Sequence, residues 1–222
     1  MTNFLKNIKK KIYIYDNKKK KKIKFKPIKD NKINMYVCGP TLNNYVHLGN
    51  FRTFIFFDVL YKYLKHLKFK IKYIRNITDI ISNIKIKEKY KKYNFYYYKI
   101  IVNKFYLNFK NIINKFNLSL PNIEPHSSWH INEQIYNINK IIKKKIAYKK
   151  NGSVYLNIKK YNLFKKKYGK LLNNININNQ KVKKNKFFKE KKNLIDFVLW
   201  KNLNLLKTIK WYSKWSKGIP AW

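Results

Sequence analysis

The chain has 222 residues, enough for one or two domains with a buried core. Hydrophobic residues make up 45% and aromatics 18%, which excludes a disordered basic tail. Lysine and arginine number 53 against 9 acids, a formal net charge of +44, and a folded chain so charged favours a polyanionic partner such as nucleic acid.

The alphabet itself is biased. Arg52 and Arg75 are the only arginines, Ala147 and Ala221 the only alanines, and Ile, Asn, Lys, Phe and Tyr fill most of the rest. The common residues have AT-rich codons and the rare ones GC-rich codons, so genomic drift accounts for much of the charge without any function. Positions that keep a rare residue have resisted that drift. Cys38, Gly39, Pro40, Gly49 and Arg52 form the densest group of them. A single cysteine excludes an intramolecular disulfide framework and favours a reducing compartment. The expected location is therefore cytoplasmic, with an organelle as the alternative because the N-terminus is basic. No run of 18 apolar residues exists, so no membrane span is expected.

In chain order, Ile12 and Ile14, a charged turn near Asp16-Asn17, then Ile23 and Phe25 predict a lysine-rich hairpin ending at Pro27. The Lys18–Lys22 run reads as its solvated turn, with RNA contact as the alternative. Ile33, Met35 and Val37 alternate with polar residues as a strand does. The loop Cys38-Gly39-Pro40-Thr41 follows. From Asn50, the spacing of Phe54, Phe57, Leu60, Leu64 and Leu67 predicts one face of a helix. Phe69, Ile71 and Tyr73 alternate again, ending in Arg75-Asn76-Ile77-Thr78-Asp79. Strand, loop, helix and strand make a βαβ unit, hence an α/β fold with a parallel sheet. Residues 84–118 read as a long helix broken by Pro121 and Pro125, with Tyr96-Tyr97-Tyr98 in the core. The Ile131 to Ile146 periodicity predicts a second helix over 129–148. Asn151-Gly152 predicts a type I′ hairpin, residues 173–192 a loop, and Ile195–Trp200 a packed element.

The chemistry is expected between Cys38 and Arg52, which read CGPTLNNYVHLGNFR. Ligands of open parallel sheets bind beyond the carboxyl ends of strands, and this loop leaves such an end. Gly39 and Gly49 let backbone approach a ligand closely, and the N-terminus of the following helix offers amides to a phosphate. His47 can donate to phosphate oxygens. Taken alone, Cys38 would read as a small buried hydrophobe and His47 as a cap or surface residue. Asp79 reads as a helix N-cap or structural hydrogen-bonder rather than an acid catalyst. His66 reads as solvated, while His126 and His130 stay open between loop structure and pocket wall.

The segment resembles the class I aminoacyl-tRNA synthetases, and within them the cysteine–tRNA ligase family. His47-Leu48-Gly49-Asn50 is similar to that family's HIGN signature. It is preceded by Met35-Tyr36-Val37-Cys38-Gly39-Pro40-Thr41 and followed by Arg52-Thr53, Phe57-Asp58-Val59-Leu60 and Arg75-Asn76-Ile77-Thr78-Asp79. Glu124-Pro125, His130-Ile131, Tyr168-Gly169-Lys170-Leu171, Asp196-Phe197 and Trp215 with Gly218 and Trp222 continue it in order. The resemblance implies a Rossmann-like nucleotide-binding fold in four parts: a basic hairpin over 1–32, the first catalytic half over 33–118, a connective insertion over 119–195, and an incomplete second half over 196–222.

It also implies ligation of cysteine to its tRNA through a cysteinyl-adenylate, with ATP and Mg2+. By the same resemblance His47 and Asn50 are the catalytic residues, and Gly39, His47, Gly49 and Asn50 bind ATP. Thr41 and Trp222 line the cysteine pocket, and Cys38 is the first ligand of a Zn2+ that selects a thiol over a hydroxyl. The family's other zinc ligands and its KMSKS loop would fall past residue 222. The chain is therefore expected to need a missing C-terminal part for activity, as an incomplete gene product or as one half of a split enzyme whose partner is a separate C-terminal fragment. A non-catalytic RNA-binding remnant and a related cysteine:amino-sugar ligase are the alternatives. Ile81-Ser82-Asn83 replace the family's acidic pair and lysine, and Trp129 stands where a polar residue is usual.

Overall fold

The polypeptide opens with strand β1 (Tyr13–Asp16), which folds back on β2 (Lys21–Lys24) as an antiparallel hairpin with Ile14 opposite Ile23. Its turn is closed by the Asp16 carboxylate, which accepts from the Lys18 and Lys19 amides at 2.7 and 2.9 Å. The structure is a computed structural model and describes residues 12–81, 94–164, 168–169, 171, 190–203 and 209–221. It divides into two units, Met1–Asn83 with Lys99–Trp129 and Ile84–Tyr98 with His130–Trp222.

In the first unit, β3 (Lys32–Val37) buries Ile33, Met35 and Val37 and exposes the residues between them, as its alternation predicts. Helix α1 (Leu48–His66) crosses back to β4 (Lys70–Arg75), which pairs parallel to β3 from Lys32 opposite Lys70 to Val37 opposite Arg75. The βαβ unit read from the sequence is thus present. Phe51, Phe54 and Leu64 of α1 are buried. Ile12, Met35, Val37, Leu64, Leu67, Phe69 and Tyr73 share one core, with Phe57 and Leu60 at its margin. Helix α2 (Asn94–Lys115) brings the fully buried Phe109 and Ile113. Of the aromatic run, Tyr98 is buried and Tyr96 is exposed, so only part of it is core.

Beyond Pro121 the chain runs parallel to β4 as a third, irregular strand. Asn122 donates to the Tyr73 carbonyl at 2.8 Å, Arg75 to Ile123 at 3.1 Å, Ile77 to Pro125 at 2.8 Å and Ser127 to Ile77 at 3.0 Å. Pro125 fits because it lends its carbonyl and needs no amide there. From the sequence this stretch reads as a helix break and the start of the connective insertion, not as a strand.

In the second unit, helix α3 (Ile131–Lys143) is shorter than the 129–148 expected from its isoleucines. Lys145 has φ 59°, a left-handed backbone that stops the helix, and its amide closes onto the Ile142 carbonyl at 2.8 Å. Ala147–Lys150 then forms strand β5, paired with β6 (Ser153–Leu156), so these residues satisfy their backbone in a sheet. The hairpin turn is as predicted: Asn151 and Gly152 both have positive φ, 49° and 76°.

A short helix α4 (Ile158–Leu163) follows. Strands β7 (Phe197–Asn202), β8 (Trp211–Tyr212) and β9 (Lys217–Pro220) complete an antiparallel sheet in the order β5-β6-β7-β9-β8. Ile138 of α3 packs on Val154 and Trp200 under this sheet. A side chain at Gly218 would run into the Lys201 carbonyl, so β9 can approach β7 only with glycine there. The expected loop over 173–192 lies outside the described residues except for 190–192.

Candidate functional site

The carboxyl ends of β3, β4 and the 122–127 strand come out on one edge of the first unit. Val37 is buried, and the next residue, Cys38, is exposed. From there the Cys38–Leu42 loop keeps pairing with the end of β4. Gly39 donates to the Asn76 Oδ1 at 3.1 Å, Thr78 donates to the Pro40 carbonyl at 3.0 Å, and Leu42 donates to the Thr78 carbonyl at 2.9 Å. Thr41 sits opposite Thr78 and is half-buried. A Cβ on Gly39 would collide with the Asn76 carbonyl oxygen, which is why the loop can lie so close only with glycine at this position.

His47 caps α1 in extended backbone, φ −112° and ψ 169°. Its amide donates to the Asn50 Oδ1 at 3.4 Å, and its carbonyl accepts from the Asn50 and Phe51 amides at 3.0 and 3.1 Å. Leu48 and Gly49 are therefore the first helical residues, and their amides precede the helix's own hydrogen-bond ladder. His47, Leu48, Gly49 and Asn50 are all exposed, and the first turn contains no acid. The positive end of the α1 dipole thus faces solvent without a carboxylate to offset it. At Gly49 a Cβ would come 3.1 Å from the His47 ring, so glycine leaves that ring room to turn toward a ligand. This edge can hold an anionic group at the helix end, with an imidazole and a carboxamide beside it.

Next to Thr78, which pairs with the Cys38–Leu42 loop, lie residues that sequence reasoning did not bring together. Asp79 is 7% exposed. Its Oδ1 accepts from the Ser128 amide at 2.9 Å, and its Oδ2 from the Ser128 hydroxyl at 2.5 Å and pairs with the His126 Nδ1 at 3.3 Å. Burial works against its charge, but hydrogen bonds from His126 and Ser128 outweigh burial and hold the carboxyl below its ordinary value. Asp79 is therefore a structural hydrogen-bonder, one of the readings its sequence context allowed. His126 stacks on Trp129, ring centroids 4.3 Å apart, and Trp129 remains 69% exposed. His66 and His130 are exposed, His130 within 3.8 Å of the Glu133 Oε1.

Below the edge, Arg75 is 1% exposed and donates to the Glu124 Oε1 through Nη2 at 2.6 Å and Nε at 2.9 Å. The Tyr106 hydroxyl donates to the other oxygen at 3.1 Å, and the guanidinium lies 4.8 Å from the Phe109 ring centre. Arg75 stands out in the sequence by its rarity and by its place in the Arg75–Asp79 run, but its partner Glu124 is 49 residues away.

The described residues do not assemble a zinc centre on Cys38. Among them, no three His, Cys, Asp or Glu side chains come together as metal ligands. Trp222, the other residue expected at the cysteine pocket, lies outside the described residues. A cavity lined by Lys144, Lys145, Lys160, Leu163 and Phe164 belongs to the second unit and contains none of the expected site residues.

Comparison with known proteins places these features in a family. Residues 24–222 match the family model described as the tRNA synthetases class I (C) catalytic domain. The chain is 37% identical over 225 residues to the cysteine–tRNA ligase of Azobacteroides pseudotrichonymphae, covering 97% of this chain and 45% of that protein. It is 35% identical over 212 residues to the cysteine–tRNA ligase of Fusobacterium nucleatum, covering 89% and 41%. The chain thus spans under half the length of these relatives. A solved arginyl-tRNA synthetase from Plasmodium falciparum overlaps 70% of the chain and 35% of its own length at TM-score 0.39 and 14% identity, too loosely to add to the assignment.

Proposed function

The chain belongs to the class I (C) tRNA synthetase catalytic-domain family, and on that premise we propose that it forms the ATP- and cysteine-binding part of a ligase that joins cysteine to its tRNA. In this reaction the cysteine carboxylate attacks the α-phosphorus of ATP, pyrophosphate leaves, and the cysteinyl group passes from AMP to a hydroxyl at the tRNA 3′ end. Mg2+ accompanies ATP. The observation that carries the proposal is the exposed, acid-free start of α1 beside the Cys38–Thr41 strand end. His47 and Asn50 hold the ATP phosphates there, Gly39 and Gly49 give the nucleotide room, and Thr41 lines the cysteine pocket with Trp222. No step is assigned to Cys38 through zinc, because the described residues supply it with no fellow ligands.

The test is calorimetric titration of MgATP into the 222-residue chain. His47→Ala and Asn50→Ala are each expected to weaken binding about tenfold, the effect of losing a hydrogen bond to a charged group. Affinity unchanged in both variants overturns the assignment of this edge. Cysteine-dependent ATP–pyrophosphate exchange by the chain alone is expected to equal that of Cys38→Ala. A second reading, a non-catalytic RNA-binding remnant, draws on the net charge of +44. It predicts RNA binding by a wild-type chain that takes up no ATP at all.

A further inference from the structure

The N-terminal hairpin has two unlike faces. Inward, Ile12 is 8% exposed, Ile23 and Phe25 are half-buried, and Phe25 packs edge-on against Phe69 at 6.3 Å between centroids. Outward, Tyr13 and Tyr15 are 59% and 55% exposed, and the register puts Lys24 opposite Tyr13 and Lys22 opposite Tyr15. Both lysines are exposed. Because side chains alternate along a strand, the two rings stand in one row, roughly 7 Å apart, each with a lysine as its cross-strand partner.

Burial does not explain these tyrosines, since the hairpin is already anchored by its other face. Among the described residues of the hairpin, Asp16 is the only acid near the lysine row. Asp16, the acid of the turn, is bound to the Lys18 and Lys19 amides, while Lys18, Lys19, Lys20 and Lys21 extend the positive edge into solvent. Two rings in a row, each paired across the hairpin with a lysine, are what unpaired nucleotides require: a π-face for each base and a charge for each phosphate.

We propose that the outward face of the β1–β2 hairpin, Tyr13 and Tyr15 with Lys22 and Lys24, binds an unpaired segment of RNA. Charge complementarity commits it to that occupant: the lysines call for a polyanion and the two ring faces for unstacked bases, and duplex RNA offers no exposed base faces to stack. The site is distinct from the edge at α1 and stands whether or not that edge binds ATP.

The experiment uses the full 222-residue chain and fluorescence anisotropy with two probes, a labelled single-stranded 12-nucleotide RNA and a 12-base-pair RNA duplex. Tyr13→Ala/Tyr15→Ala is expected to weaken single-strand binding at least tenfold, with a much smaller effect on the duplex, while Tyr13→Phe/Tyr15→Phe stays within about twofold of wild type. Lys22→Gln/Lys24→Gln is expected to flatten the slope of log K against log salt by about 1.4, two phosphate contacts on a single strand. Thermal melts accompany each variant. If the alanine variant melts early, the lysine pair decides, since glutamine at two exposed strand positions leaves the inward face intact. Single-strand affinity unchanged by the alanine pair, or an unchanged salt slope for the glutamine pair, overturns the proposal. MgATP titration of the same variants is expected to match wild type, so failure here and failure of the ATP site are told apart.

Discussion

Asp79 is a carboxylate just past the end of β4 that accepts from the Ser128 amide and hydroxyl and pairs with His126. Its folded pKa lies below the ordinary 3.8. A depressed folded value means that its contribution is complete above the unfolded value and is lost as pH falls through the folded one. Asp79→Asn is therefore expected to lower stability at neutral pH by about 1–3 kcal/mol, the cost of leaving buried donors poorly matched. The gap from wild type should narrow as pH is taken below about 4. Urea midpoints across that range check it, and a gap that stays constant with pH would show that the charge contributes nothing. At this scale the sequence was uneven. Gly39, Gly49 and His47 announced themselves because rare residues clustered beside a strand end. The pairing of Asp79 with Ser128 did not, because it joins positions 49 apart and neither belongs to a periodic pattern.

Among the elements, those with long, clean periods were legible: β3 and β4 by alternation, α1 by its apolar face, and β5–β6 by Asn151-Gly152. The strand over 122–127 was not, because six residues flanked and interrupted by prolines carry no period, and its pairing is set by β4. The end of α3 was misread for the opposite reason. Its isoleucines keep helical spacing through Ile146, but the turn at Lys145 and the hairpin partner at Leu156 outweigh propensity. The added strand is pinned to β4 by Arg75 and Glu124. With Arg75 fully buried, Arg75→Met or Glu124→Gln alone is expected to cost about 3–5 kcal/mol, since each leaves its partner poorly compensated. The double variant should cost less than the sum. A double-mutant cycle in urea measures the difference, and strict additivity would mean that the pair is not coupled.

For the molecule as a whole, most of the acids among the described residues are committed inside, while Asp30 and Glu133 are exposed. Asp58 binds Lys62 and the Ser119 amide, Glu124 holds Arg75, Glu190 accepts from Tyr155, and Asp196 accepts from Tyr148 and the Ile158 amide. Asp58, Asp79, Glu190 and Asp196 are all buried. The surface therefore carries the lysines with little carboxylate between them, and self-repulsion opposes the folded state. Raising salt from about 0.01 to about 0.1 M shortens the screening length from about 30 to about 10 Å. The melting temperature is expected to rise by several degrees over that range. A flat or falling Tm would show that the repulsion is already relieved.

The parallel register of the first unit also bears on how its chain must be closed. Ile14 meets Ile23 nine residues on, whereas the contact between Asp79 and Ser128 spans 49. By chain statistics alone the longer closure carries about 1.5 kcal/mol more entropic cost. Helix α2 occupies 22 of the intervening residues. A helix advances only 1.5 Å per residue, so those residues form a rod of about 33 Å in place of a wandering coil. Once wound, α2 acts as a strut between the anchor points, reducing the number of arrangements from which the third strand must find β4.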